Sequence, residues 1–230
     1  MFKRRKGQGE DVEDLEVDVE AVDEDTEADD NDSPVEYDRA AGPWDISEVD
    51  EPDAMAAERI DFGAIQVPLI PGMEVRVEID PESNEPAAIT LVHGEGAVQV
   101  RAFAAPRSGG GWQITLDELR AQISGDGGTV EESVGPFGGE VAAAVQGEDE
   151  NGQTVVQPVR FVGVDGPRWS LQGVMFGAGA DPAAAGDLED VFRSLVVMRG
   201  DTAMPSGMPL PLSLPEQVPG DVEQSGPADQ

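Results

Sequence analysis

The clearest pattern of apolar and polar positions lies between residues 158 and 200. Residues 159–164 (VRFVGV) form an apolar run interrupted only by Arg160 and Gly163, which suits a strand covered on both faces. Asp165-Gly166-Pro167 is turn chemistry, because Gly accommodates φ > 0 and Pro presets φ for the return. In the next strand Trp169, Leu171 and Met175 share one face, and Val174 and Phe176 the other. Asp181 before Pro182 signals a helix, with Gly186 delaying its start to Asp187. Leu188, Val191, Phe192 and Leu195 then face the sheet, and VVMRG at 196–200 reads as a closing strand. The rest of the folded chain is expected to pack around this hairpin and helix.

Upstream, residues 60–68 read as an irregular strand ended by Pro68. Residues 73–80 alternate, with Val75, Val77 and Ile79 opposite Glu74, Arg76 and Glu78, which predicts a half-buried antiparallel strand. Residues 87–92 and 97–104 follow as strands joined at His93-Gly94-Glu95-Gly96, so that four consecutive strands suggest a meander. Thr115-Leu116-Asp117-Glu118 matches a capping box, placing a helix with Leu116, Leu119 and Ile123 inward, Gly125 at its end and Trp112 packed on the sheet. Residues 129–134 and 140–146 are two more strands, and 148–152 a polar hairpin tip. The fold class is therefore α+β, a mostly antiparallel sheet carrying two main helices.

Composition divides the chain into an acidic disordered tail at 1–43, an anchoring arm at 44–58, one domain at 59–201 and a proline-rich tail at 202–230. Residues 7–58 carry 22 acids against Arg39 alone, within a formal net charge of −34. Such a field disfavours nucleic acid and anionic lipid, although four basic residues at 3–6 leave a weak, salt-sensitive contact open. Cysteine is absent, which excludes disulfides and thiolate metal sites, and no apolar run is long enough to span a bilayer. A cytoplasmic location is the expectation. Trp44 is expected to anchor the N-terminal arm on the domain. Leu210, Leu212 and Leu214, between alternate prolines, either lie along their own domain or form a linear binding motif.

Chemistry is sparse. His93, the single histidine, fits a solvated turn, and pairing it with Glu95 still leaves zinc short of its usual three protein ligands. No nucleophile elbow or Walker loop occurs, and the glycine clusters at 109–111 and 135–139 read as flexible joints. Asp165, Arg168 and Trp169 are the most informative group. Their turn predicts a structural Asp165–Arg168 ion pair beside a core tryptophan, or a recognition site for an anionic or aromatic group. Arg160 and Arg199 join that site if their strands are neighbours.

FAAPRSGGGW at 103–112, GPFGGE at 135–140, VDGPRWSLQGV at 164–174 and MRG at 198–200 resemble the actinobacterial family known as domain of unknown function 3710. GPWD at 42–45 and the LPLSLP tail fit it as well. Ser170 and Gln172 stand where that family usually carries an aromatic and an Arg. The resemblance implies a cytoplasmic bacterial protein and brings no catalytic residues or cofactor. The order of elements compares with the Mog1/PsbP-like group. The resulting expectation is a non-enzymatic protein-binding adaptor. The alternatives are an enzyme or small-anion binder working through carboxylates and arginine, or a nucleic-acid-associated protein.

Overall fold

Two sheets share one main core in the computed structural model, which describes residues 37–50, 58–125, 129–148 and 154–215. These residues belong to the compact unit 34–230. The acidic tail before residue 37, the linker at 51–57, the hairpin tip at 149–153 and the chain after 215 lie outside the described residues.

The larger sheet holds β4 (Glu74–Ile79), β5 (Pro86–His93), β6 (Gly96–Ala104), β7 (Val130–Gly135), β8 (Gly138–Glu148), β9 (Thr154–Gly166) and β10 (Trp169–Gly177). Among the described residues it is seven-stranded and antiparallel, in the order β4-β5-β6-β10-β9-β8-β7. The smaller has four strands in the order β1-β11-β3-β2, from β1 (Trp44–Asp45), β2 (Arg59–Asp61), β3 (Ile65–Pro68) and β11 (Val196–Val197). Helices α1 (Gly111–Gly125) and α2 (Gly186–Arg193) complete an α+β fold. No helix among the described residues is long and apolar enough to cross a membrane.

Strand parity explains the layering. On one face of the large sheet Ile89, Leu91, Val98, Val100, Val162, Val164, Leu171 and Met175 meet the small sheet's Ile65 and Val67 and α2's Leu188, Val191 and Phe192 in a single cluster. Residues of the opposite parity, Val141 and Phe161, meet Trp112, Leu116 and Leu119 of α1. Gly163 is the condition for this second layer. A Cβ there would overlap the Trp112 ring, so the glycine inside the apolar run is the space the indole occupies.

Three elements depart from the sequence reading. Residues 60–68 are two strands of a hairpin in the small sheet, not the first strand of a meander. Gly63, at φ +80°, turns the chain between Phe62 and Ile65, and the Asp61 carboxylate accepts from the Gly63 N–H at 2.7 Å. Helix α1 begins at Gly111, so Thr115 sits within it, and its hydroxyl donates back to the Gly111 carbonyl at 3.2 Å rather than capping. Residues 135–139 are no loose joint, since Gly135 pairs with Gly138 and Phe137 is buried in the main core.

Past Val100, β6 is no longer paired with β5, and residues 207–210 of a strap that runs on to 213 take its place. Ala104 donates to the Met208 carbonyl, and Gly207 and Leu210 donate to the carbonyls of Ala104 and Ala102, each at 2.8 Å. Ser213 then bonds Phe62 at 2.9 Å. Leu210 is buried, Leu212 packs against the core, and Leu214 is exposed. Pro209 and Pro211 are exposed and have no N–H, so the strap offers no ladder donor at those positions, and the outer strands of the sheet remain β4 and β7.

Candidate functional site

The turn between β9 and β10 places Asp165, Arg168 and Trp169 close in the chain but gives each a different task. Asp165 caps α1, its carboxylate accepting from the backbone N–H groups of Gly110 and Trp112 at 2.9 Å. A carboxylate at a helix N-terminus also meets the favourable end of the helix dipole. No Asp165–Arg168 ion pair forms among the described residues. The reason is that Asp165 shares the α1 face of the sheet, where unpaired N–H groups outcompete a guanidinium at the exposed turn.

Trp169 is fully buried, and its indole N–H donates to the Asp45 carboxylate at 2.7 Å. Asp45 also accepts from the Ser47 N–H, while Glu48 accepts from the Asp45 N–H, forming a capping box around the short 3-10 turn Ile46–Glu48. Arg39 lies 5.4 Å over the Trp169 ring and pairs with Glu48 at 2.6 Å. Burial alone would raise the Glu48 carboxyl, but the Arg39 side chain, the Asp45 N–H and the Arg39 charge outweigh it and hold it below the usual range. Trp44 is half-buried, and its N–H bonds the Leu195 carbonyl at 3.1 Å. With residues 37–40 and Glu48 it lines a wide, open groove.

Arg160 lies elsewhere, on the opposite face of β9 from Asp165. It is 1 % exposed and held between two carboxylates, Glu189 of α2 at 2.6 Å and Glu140 of β8 at 3.4 Å, with the Met175 sulfur at 3.1 Å. Its grouping with Arg168 is therefore corrected. An arginine with the parity of Val162 and Val164 must enter the core, and there it needs anionic partners.

Arg199 does reach the turn. Its Nε donates to the Arg168 carbonyl at 3.3 Å and its Nη1 to the Thr202 carbonyl at 2.8 Å, while the Ala105 N–H bonds the same Arg168 carbonyl at 2.9 Å. Arg168 itself has φ +64° at the second corner of the turn, where Gly is the default. For a residue with a Cβ that conformation costs about 1–2 kcal/mol. Its side chain has no hydrogen-bond or ion-pair partner among the described residues, nor has that of exposed Arg107, two residues beyond Ala105.

His93 sits half-buried at the β5–β6 turn, and no group of three metal-binding side chains occurs among the described residues. Sequence reasoning missed Asp45, Arg39, Glu140 and Glu189. Only Asp45-Ile46-Ser47-Glu48 carried a readable signal, the spacing of a capping box. Comparisons with curated proteins and with solved structures gave no match, so the Mog1/PsbP comparison rests on element order alone. Residues 42–220, which include every element described above from β1 to the strap, match the family described as a protein of unknown function, DUF3710, and the chain belongs to that family.

Proposed function

We propose that this chain is a non-enzymatic adaptor, acting in the cytoplasm, whose domain binds an extended segment of a partner protein along a sheet edge. The observation that carries this reading is the exposure of β7, one of the two outer strands of the large sheet, the other being β4. β7 has no proline and is exposed from Glu131 to Val134, with Val134 66 % accessible, whereas β4 buries Val75 and Val77 in the main core. An outer strand of this kind is a template for an added one, with main-chain bonds supplying affinity and alternate side chains supplying choice. Glu131 repels a second copy laid edge to edge and favours a basic segment, while Glu132 is already paired with Arg120 of α1.

The test is affinity capture with the full chain and with Val134→Lys, a substitution at an exposed site that is expected to leave the melting temperature unchanged. Proteins captured by the unsubstituted chain and lost with Val134→Lys support edge binding. Recovery of the same proteins by both would overturn it.

A further inference from the structure

We propose that the β9–β10 turn is an oxyanion site that recognises a phosphate group through Arg168, with Arg199 beside it. Three independent features meet there. First, Arg168 occupies a left-handed backbone position where glycine would relieve strain, yet its guanidinium returns no hydrogen bond or ion pair to the described residues. Arg168 is half-buried, so part of this unpaired side chain is open to a ligand.

Second, the surrounding segments are knitted to this residue. The Arg168 carbonyl accepts from both the Ala105 N–H and the Arg199 Nε, so the end of β6 and the chain after β11 are held against the turn. The Arg199 guanidinium meets only carbonyl oxygens, and its charge is left without a counter-ion. Third, the neighbouring carboxylates are engaged. Asp165 is bonded to the first turn of α1 and Asp45 to Trp169 and Ser47, while Asp201, two residues after Arg199, is exposed.

Guanidinium is the group suited to a multiply charged oxyanion, because its planar fork donates two parallel N–H bonds to adjacent oxygens. A phosphate, with more charge and more oxygens, fits a pair of arginines better than a monovalent carboxylate does. Free phosphate compounds and a phosphorylated side chain offer the same chemistry, and the experiment separates them.

Thermal shift of the full chain is measured at constant ionic strength with chloride, with inorganic phosphate, and with a phosphoserine peptide beside its unphosphorylated form. The expectation is a rise in melting temperature with a phosphate-bearing probe that exceeds chloride. A rise with inorganic phosphate assigns a small ligand, and a rise with the phosphopeptide alone assigns a modified chain. Arg168→Gly should melt no lower than the unsubstituted protein in chloride, because it relieves the left-handed strain, and should lose the phosphate-dependent rise. Arg168→Lys should recover only part of it. No rise with either probe, or a full rise in Arg168→Gly, would overturn the proposal. Partner capture at β7 does not involve Arg168, so loss of one activity leaves the other in place.

Discussion

Replacing Arg160 with Met removes the one guanidinium at the centre of the core and leaves Glu140 and Glu189 facing one another. Glu140 is 4 % exposed and Glu189 13 %, so neither carboxylate can turn fully to water. Breaking a buried pair in this way costs about 3–5 kcal/mol, mostly as the penalty of the charge left behind. For a domain of this size that lowers the melting temperature by roughly 6–20 °C. The triple variant Arg160→Met, Glu140→Leu, Glu189→Leu removes the charges together. It should return to the stability of the unsubstituted protein, or exceed it by about 1–4 kcal/mol, since well-packed apolar groups escape the desolvation penalty. Urea unfolding of both variants, monitored by tryptophan fluorescence, gives the two free energies. A single substitution costing less than about 1 kcal/mol, or a triple as unstable as the single, would refute the account of Arg160 as a neutralised core charge.

Leu210→Ala should cost about 2–5 kcal/mol, nearer the lower figure because the strap lies at a border, and should speed proteolytic cleavage between residues 198 and 213. Unchanged cleavage would mean that the strap is held by its backbone alone. Below pH 5 the melting temperature should fall. Hydrogen bonds from the Ser83 N–H and hydroxyl, and from the Glu82 N–H, hold Asp80 below the usual carboxylate range, and Glu48 is also lowered, by Arg39 and the Asp45 N–H, against an opposing burial effect. A folded-state value below the unfolded one contributes stability above the ordinary value of about 4, and that stability is lost as pH falls through the folded value. Glu48→Gln should therefore show a shallower decline between pH 5 and pH 3 in a melting series, and an unchanged slope would remove Glu48 from the explanation.

What the sequence disclosed depended on how local the deciding contacts were. The alternation in β4 and the apolar stripe of α2 are written within a few residues of themselves, and both elements formed as read. The start of α1 was not local. Its cap is Asp165, 53 residues from Trp112, and a motif search centred on Thr115 has no means of finding a carboxylate on another strand. The same distance problem misplaced residues 60–68, because the run reads as one irregular strand and only the tertiary fold splits it at Gly63 and assigns both halves to the smaller sheet. At the turn, Asp165-Gly166-Pro167 announced a tight return, but not which face its acid would take. Arg160 was legible in part. An arginine inside a run covered on both faces requires buried anions, yet nothing local names Glu140 and Glu189 as those anions.

The arginines together carry the argument one step further. The chain carries 48 acids against 14 Lys and Arg. Among the described residues Arg39, Arg76, Arg120, Arg160 and Arg193 are each paired with an acid, and Arg59, Arg101, Arg107, Arg168 and Arg199 are not. At the turn of Arg168 the adjoining Asp165 and Asp45 carboxylates are taken by backbone N–H groups and an indole. Screening confines charge effects to roughly 8 Å at physiological salt. The total of −34 therefore decides little at this end of the domain, and the local balance decides what can approach. A fold that spends its nearby acids on a helix terminus and a tryptophan leaves a cationic turn on an acidic protein, and it holds that turn in a backbone conformation that arginine adopts only at a cost.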